Sequence, residues 1–152
     1  MDRKASKYQR IYEQIKSLFK DTGDSIARMA TINAELYHKM PGFFWVGFYL
    51  LKNGRLIAGP YQGPLSCIEL EKDRGVCWAA INTGNTVVVP DVRKFHGHIA
   101  CSGLSKSEIA VPVKNLKNEA EGVLDIDSKL YNNFDKTDSA ELEKIVDLLT
   151  AR

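Results

Sequence analysis

An Asn–Gly pair, Asn53–Gly54, divides a long β-branched and aromatic run, FFWVGFYLLKNGRLIAGPYQG. Asn and Gly readily adopt the left-handed backbone conformation that a two-residue hairpin turn requires. Apolar runs on either side of such a pair are the strongest short-range signal of a β-hairpin. The sequence therefore predicts two antiparallel strands near the middle of the chain, and the fold must contain a sheet built around them.

Helical periodicity precedes this hairpin. Apolar residues recur every three or four positions from Tyr8 to Phe19, which predicts a first helix that ends at Asp21–Gly23. Asp24 is a suitable N-cap for a second helix, which Pro41–Gly42 ends. The residues predicted to share one face of this second helix are Ile26, Met29, Ala30, Asn33 and Tyr37.

The remaining elements mix strands, loops and helices. They are predicted as a loop at Gly63–Glu71, a short helix at Gly75–Asn82 closed by Thr83–Gly84, a buried strand at Thr86–Val89, a long loop at Pro90–Ser105, a strand pair at Ile109–Lys114 and Gly122–Asp127, and a closing helix. Asp138 with Glu141 resembles a capping box for that helix. This order predicts an α+β fold, a central antiparallel β-sheet with helices packed on it. The length of 152 residues fits one domain, 1–152.

Composition argues against several classes of protein. The 21 basic residues nearly balance the 19 acidic ones, and no basic stripe alternates with aromatic residues, so we expect no nucleic-acid partner. No apolar run is long enough to span a membrane, and no apolar segment follows the charged N-terminus, so we expect no signal peptide. We therefore expect a cytoplasmic protein with reduced thiols, and the odd number of cysteines, three, agrees with this.

The three cysteines, Cys67, Cys77 and Cys101, lie within one 35-residue stretch. Cys101 follows His98 in the long loop, among glycine and serine, and Cys67 lies in a loop bordered by proline and glycine. Both are therefore expected to be accessible. If these two loop cysteines meet in the fold, they form a redox pair, because a sulfenic acid on one is resolved by the thiol of the other. Cys77, in GVCWAAI, is equally well interpreted as a buried, inert thiol.

A zinc site is a competing interpretation of the same region. Cys67, Cys77, His96, His98 and Cys101 are all of zinc-ligand type. However, the chain lacks the closely spaced ligand pairs that structural zinc sites use, so we expect no metal. His96 is better interpreted as a surface loop residue.

Acidic residues form a second cluster. Period-two alternation along VLDID puts Asp125 and Asp127 on one face of the last strand, and Glu108 opens its predicted partner strand. One alternative is a solvated polar face, which is common in antiparallel sheets. The other is a shared pocket roofed by the cysteine loops. Crowding would then raise at least one pKa, so that one group donates a proton while the others bind a cationic group.

Aromatic residues occupy alternate positions on the first predicted strand. Phe43, Trp45 and Tyr49 would therefore line one face of the sheet. Such a stripe is usually core, but a Trp in a pocket also packs well against a methyl group or a sulfur atom.

Six motifs extend these observations to nearly the whole chain: GPYQGPLSC at 59–67, GVC at 75–77, VVPDV at 88–92, GHIACS at 97–102, SEIAVP at 107–112 and GVLDIDS at 122–128. With these motifs the sequence resembles the free methionine-R-sulfoxide reductases, single GAF-domain enzymes that reduce the R epimer of free methionine sulfoxide. The three cysteines match those of the family in order and spacing. The sequence departs from the family at Trp78 and at Ser102–Leu104, beside two of the cysteines.

The resemblance implies a GAF-like fold and a role for each matching residue. Cys101 would attack the sulfoxide, Cys67 would be the main resolving cysteine, and Cys77 a secondary partner or a bystander. The residues implied to bind substrate are Trp45, Tyr49, Glu108, Asp125 and Asp127. A thioredoxin-type reductant would reopen the disulfide, with no metal or organic cofactor. The alternative function is a non-catalytic GAF-type sensor of a small ligand or of oxidants, and the sequence leaves the oligomeric state open, with a homodimer as one option.

Overall fold

A six-stranded antiparallel sheet organises the computed structural model, which describes residues 2–98 and 101–151. The strands are β1 (Phe43–Lys52), β2 (Arg55–Gln62), β3 (Glu69–Leu70), β4 (Val87–Val89), β5 (Ser107–Lys114) and β6 (Ala120–Ser128). The helices are α1 (Arg3–Leu18), α2 (Ser25–Lys39), α3 (Gly75–Thr83) and α4 (Lys136–Asp147), with 3₁₀ turns at Phe19–Asp21 and Val92–Lys94. The strand order across the sheet is β3-β2-β1-β6-β5-β4. The predicted α+β architecture is therefore confirmed.

The predicted hairpin forms at Asn53–Gly54. Both residues have positive φ, 53° and 78°, and the flanking Lys52 and Arg55 are paired across the two strands. These backbone angles are those that only Asn, Asp and Gly adopt at little cost. The hairpin places β1 and β2 side by side, and β6 then pairs with the other edge of β1.

Helices cover the two faces of the sheet unequally. The larger apolar core lies on one face, where β6 contributes Leu124 and Ile126. There α1, α2 and α4 bury Ile11, Ile15, Met29, Ile32, Leu36, Leu142, Ile145 and Val146. The second face carries α3 and the loops around it, with Val76, Trp78 and Ala80 in a smaller core. The larger apolar core and the face that carries Trp45, Tyr49 and Cys77 thus lie on opposite sides of the sheet.

Phe43 does not share a face with Trp45 and Tyr49, so that prediction is wrong. A register irregularity in the pairing of β1 with β6 lies between Phe43 and Trp45. A bulge of this kind reverses the facing of the residues on one side of it. Phe43 consequently packs against Phe134 in the larger core, with ring centroids 5.4 Å apart. Trp45 and Tyr49 face the smaller core as predicted.

Two helix predictions also need correction. Asp24 does cap α2, but Ile26 is 64% exposed and Ala30 is exposed, while Ile32 and Leu36 are fully buried. The buried face is thus rotated from the predicted one, and Met29 and Asn33 lie at the overlap. The capping box of α4 is formed by Asp135 and Asp138, not by Asp138 and Glu141, because α4 begins at Lys136.

The strand predicted at Thr86–Val89 is a short edge strand, β4, in which Val87 and Val88 are only half-buried. The loop predicted at Gly63–Glu71 contains the two-residue β3, and the long loop before β5 contains a 3₁₀ turn. No helix among residues 2–98 and 101–151 is both long and apolar enough to cross a membrane.

Candidate active site

Three carboxyl groups lie together on the smaller-core face of β5 and β6. Glu108 and Asp127 are direct cross-strand partners, and Asp125 is two residues earlier on the same face of β6. Glu108 is 6% exposed and Asp125 is 5% exposed, while Asp127 is half-buried. The face is therefore a roofed pocket rather than a solvated surface, which decides between the two alternatives that the sequence left open.

Burial and mutual repulsion change the protonation of this cluster. Desolvation, assisted by the charge of Asp127, raises the pKa of Glu108 to about 8. Desolvation also raises the pKa of Asp125 well above its usual value, and the neighbouring Glu108 adds to the effect. The pKa of Asp127 is raised for the same reason, with Asp125 as the nearby charge. At neutral pH the cluster therefore holds protons that ordinary carboxyl groups would release.

The cluster has little positive charge beside it. Among the described residues, no Lys or Arg forms an ion pair with Glu108, Asp125 or Asp127. His98 is a basic group close to the cluster, with its Nε2 3.7 Å from a Glu108 oxygen. Burial lowers the pKa of His98, which favours its neutral form. One oxygen of Asp125, Oδ1, is buried without any hydrogen-bond partner in this part of the structure.

The cysteine loops meet over these carboxyl groups. Cys67 and Cys101 form a disulfide, with their Cα atoms 5.4 Å apart. Cys77 is a free thiol, 4% exposed, in the first turn of α3. Burial raises the pKa of this thiol, and Asp125 contributes to the effect. The structure thus brings the two loop cysteines together and leaves Cys77 beneath them.

Aromatic side chains form one wall of the pocket and support the Cys67 loop. Trp45 and Tyr49 are stacked with ring centroids 5.8 Å apart. The indole N–H of Trp45 donates to the carbonyl of Pro64 at 3.0 Å. The Tyr49 hydroxyl is 2.8 Å from the hydroxyl of Ser66 and donates to the carbonyl of Cys67 at 2.9 Å. These bonds tie the loop that carries Cys67 to β1.

All eight predicted site residues are close together. A single cavity is lined by seven of them, Trp45, Tyr49, Cys77, Cys101, Glu108, Asp125 and Asp127, and the eighth, Cys67, is bonded to Cys101. The cavity volume of about 40 Å³ is small, since one water needs about 10–15 Å³ by the same measure. In this disulfide-bonded form the cavity is a few times the size of a water molecule.

Sequence reasoning missed two further residues that line the cavity or support it, Ser105 and Arg74, and considered a third, His98, only as a zinc ligand. Ser105 donates a hydrogen bond to Asp127 at 3.0 Å. Arg74 lines the cavity and precedes α3, whose N-terminus has no side-chain cap. His98 lines the cavity as well, whereas His96 is exposed.

Metal-ligand geometry exists at one place in the described chain. Ligand atoms of Cys77, Glu108 and Asp125 all lie within 4.8 Å of one another. This set differs from the cysteine and histidine set considered from the sequence, because Cys67 and Cys101 are bonded to each other.

Comparison with known proteins gives consistent matches over most of the chain. Residues 25–152 match the GAF domain. The chain is 44% identical over 147 residues to GAF domain-containing protein A of Dictyostelium discoideum, covering 96% of this chain and 92% of that protein. It is 40% identical over 121 residues to the free methionine-R-sulfoxide reductase of Escherichia coli, covering 80% of this chain and 73% of that enzyme.

A solved structure gives the same result. The X-ray structure of the free methionine-R-sulfoxide reductase of Neisseria meningitidis in complex with its substrate superposes with a TM-score of 0.92 and 42% identity. The match covers 98% of this chain and 89% of that one.

Proposed function

This chain belongs to the GAF domain family and, within it, to the free methionine-R-sulfoxide reductases, and on this premise we propose that it reduces free methionine-R-sulfoxide to methionine with a cysteine thiolate. The chain is accordingly an oxidoreductase.

One observation carries the proposal: a disulfide between two loop cysteines lies over a buried cluster of carboxyl groups. The Cys67–Cys101 bond supplies a thiol pair that can be opened and closed. Glu108, Asp125 and Asp127 lie beneath it, and their raised pKa values make a neutral carboxylic acid available near pH 7. A sulfoxide oxygen leaves readily only when it is protonated, so a thiolate and a neutral acid are both required.

In the first step the thiolate of Cys101 attacks the sulfoxide sulfur while a carboxylic acid of the cluster protonates the oxygen. The oxygen is transferred to Cys101, which becomes a sulfenic acid, and methionine is released. The sulfoxide sulfur is reduced by two electrons and the cysteine sulfur is oxidised by two. Glu108 is our choice of proton donor, because its pKa of about 8 leaves it protonated but still acidic at neutral pH.

In the second step the thiol of Cys67 attacks the sulfenic acid, a disulfide forms, and water is released. A thioredoxin-type dithiol then reduces the disulfide by exchange and is itself oxidised. The cytoplasm keeps such dithiols reduced, and we place the enzyme there. Rapid resolution protects Cys101 from further oxidation, which is irreversible beyond the sulfenic acid for most proteins.

The two ends of the pocket suit a free amino acid. The carboxyl cluster lacks a cationic partner among the described residues, and the ammonium group of the substrate would supply one. Arg74 and the uncapped N-terminus of α3 lie at the cavity wall, where positive charge suits the substrate carboxylate. Trp45 and Tyr49 would contact the methyl end.

The proposal is tested by turnover of resolved R and S epimers of free methionine sulfoxide with a dithiol reductant. We expect methionine to form from the R epimer and the Cys101→Ser variant to lose turnover. Cys101→Ser activity within a few-fold of the wild-type rate would overturn the choice of nucleophile. If the wild-type protein turned over neither epimer, the evidence would instead favour a ligand or redox sensor.

A further inference from the structure

Three ligand groups from three separate elements converge under the cysteine loops. Cys77 comes from α3, Glu108 from β5 and Asp125 from β6. Their donor atoms lie within 4.8 Å of one another, and all three residues are buried. His98 lies outside this group of three but beside it, with its Nε2 3.7 Å from a Glu108 oxygen. Thiolate sulfur, imidazole nitrogen and carboxylate oxygen are the ligand types that bind Zn²⁺ in proteins.

A second observation is that one oxygen of these three ligand residues has no hydrogen-bond partner in the described part of the chain. Asp125 is 5% exposed and lines the cavity, yet its Oδ1 atom makes no hydrogen bond within residues 2–98 and 101–151. A buried polar atom without a partner destabilises the folded protein. This oxygen is therefore available to bind a cation. The reaction proposed above uses Cys101 and Cys67 and does not require Cys77.

We propose that Cys77, Glu108 and Asp125, with His98 as a fourth donor, bind a thiophilic divalent cation of the Zn²⁺ class. The cation binds the thiolate form of Cys77 and the carboxylate forms of Glu108 and Asp125, so the protons that these groups hold pass to solvent. It is an inhibitory ligand rather than a cofactor, because it occupies carboxyl groups that the reaction needs. The cavity of about 40 Å³ is large enough for a single ion.

The site does not depend on the Cys67–Cys101 pair. Both of those sulfur atoms are in the disulfide, so Cys77 is the only thiol left among the three cysteines of the chain. The oxidised protein therefore keeps the three donor residues.

Competition is expected once the disulfide is open. This consequence rests on the proposed function, because it takes the carboxyl cluster as the binding site of the substrate ammonium group. The cation and the ammonium group would then exclude each other from Asp125, since Glu108 is the proton donor of the proposed reaction. Metal binding itself does not rest on that assumption.

The test uses Co²⁺ as a spectroscopic probe, added to the full chain with its disulfide formed. We expect about one Co²⁺ per chain, a thiolate-to-cobalt charge-transfer band in the near ultraviolet, and visible bands of the intensity typical of four-coordinate sites. Zn²⁺ should displace the cobalt. Cys77→Ser should remove the charge-transfer band, and Asp125→Asn, nearly the same in shape, should weaken the affinity by about tenfold or more.

Controls separate this site from adventitious binding. The double variant His38→Asn, His96→Asn removes the other two histidines of the chain and should leave the band unchanged. The absence of a thiolate band at saturating Co²⁺ in the wild-type disulfide form would overturn the proposal without requiring any variant to fold. A band that survives both Asp125→Asn and Glu108→Gln at wild-type affinity would overturn it as well.

A separate experiment measures the competition between the cation and the ammonium group. In the double variant Cys67→Ser, Cys101→Ser, no disulfide closes the pocket and Cys77 remains the only thiol. Free methionine, which carries the same ammonium group as the substrate, should raise the apparent Kd for Co²⁺. Unchanged Co²⁺ affinity would overturn competition at the ammonium site while leaving the metal site intact.

Discussion

At the scale of single residues, the ability of Glu108 to donate a proton at neutral pH depends on its burial. An exposed glutamate is ionised at neutral pH and cannot donate a proton. Glu108 is buried on β5 opposite Asp127, and desolvation raises its pKa to about 8. The same burial must affect the stability of the protein, because a shifted pKa links folding to pH.

The raised pKa of Glu108 favours the folded protein at low pH. The ordinary pKa of glutamate is 4.5, and in the folded protein the value for Glu108 is about 8. Between these two values the folded state holds the proton that the unfolded state has lost. The contribution of Glu108 to stability is therefore complete below pH 4.5 and declines as pH rises towards 8.

We expect Glu108→Gln to make the free energy of unfolding less dependent on pH in this window. The slope should become shallower by up to about 1.4 kcal/mol per pH unit, the effect of one proton. Urea unfolding at a series of pH values measures it, with the exposed Glu121→Gln as the matched control. Parallel pH profiles for the Glu108 variant and the wild type would contradict the shift. Asp125 and Asp127 remain in the variant, so some dependence persists.

Cys67 provides the second prediction at the residue scale. Its sulfur is bonded to Cys101, which favours it over Cys77 as the resolving thiol. Cys67→Ser should release methionine in a first turnover, then lower recycling by a thioredoxin-type reductant by about tenfold or more, since a serine cannot condense with the sulfenic acid. Rapid quench separates the first turnover from the steady state. Mass spectrometry of substrate-treated wild-type protein should show a Cys67–Cys101 peptide, and a Cys77–Cys101 peptide alone would transfer the resolving role to Cys77.

At the scale of secondary-structure elements, the capping box of α4 joins the two ends of the chain. Asp138 is fully buried and accepts hydrogen bonds from the Tyr8 hydroxyl at 2.6 Å, from Lys4 at 2.7 Å and from the backbone N–H of Asp135 at 2.8 Å. One carboxylate thus caps α4 and binds α1 to it. These bonds lie on the side of the sheet opposite the cysteine loops.

Asp138→Ala should lower the free energy of unfolding by about 2–4 kcal/mol, because it removes a helix cap and leaves buried donors unpaired. Urea unfolding measures the loss. Asp147→Ala, an exposed aspartate of the same helix, should change stability by no more than about 0.5 kcal/mol. Turnover per folded molecule should be unchanged in Asp138→Ala. A loss of turnover in fully folded protein would show that the capping box of α4 also supports the active site.

The elements differ in how well the sequence predicted them. The hairpin at Asn53–Gly54 and the alternation of Asp125 and Asp127 follow from local backbone chemistry, which the sequence specifies directly. The side on which Phe43 packs depends on a bulge that forms only when β6 pairs with β1. The start of α4 was misplaced because Asp135 and Asp138 are both good capping residues, and the choice between them depends on contacts with Tyr8 and Lys4.

The candidate site likewise combines features that local sequence predicts with features that only tertiary contacts determine. The residue types in the cysteine loops and on β6 suggested thiol and carboxyl chemistry, and the resemblance assigned their roles. No spacing rule could show that Cys67 and Cys101 meet, because they are 34 residues apart and are brought together by the sheet. Arg74 was missed for a similar reason. Its position at the pocket depends on how α3 packs over β5 and β6, which is a property of the tertiary structure.

At the scale of the whole molecule, the sheet separates two tasks. The larger apolar core and three helices occupy one face, while the buried carboxyl cluster and the cysteine loops occupy the other. The cost of burying several carboxyl groups is therefore offset by packing elsewhere in the domain. This arrangement also encloses the pocket between the sheet, α3 and the loops, and that enclosure bears on the form of substrate that the enzyme accepts.

The last prediction concerns that form. A free amino acid has an ammonium and a carboxylate group, and the pocket offers the carboxyl cluster to the first and Arg74 with the N-terminus of α3 to the second. A peptide presents neutral amides at both places. Each lost charged hydrogen bond costs about 1.5–3 kcal/mol, so kcat/KM should fall by about tenfold or more for each blocked end.

Turnover of free, N-acetylated and C-amidated methionine-R-sulfoxide and of a sulfoxide inside a short peptide measures these penalties separately. The N-acetyl compound tests the carboxyl cluster, and the amide tests Arg74. Arg74→Gln should lower kcat/KM for the free substrate but have little effect on the amide, because that compound has no carboxylate to lose. Comparable turnover of the peptide would contradict a closed pocket that recognises both charges, even if Cys101 proved to be the nucleophile.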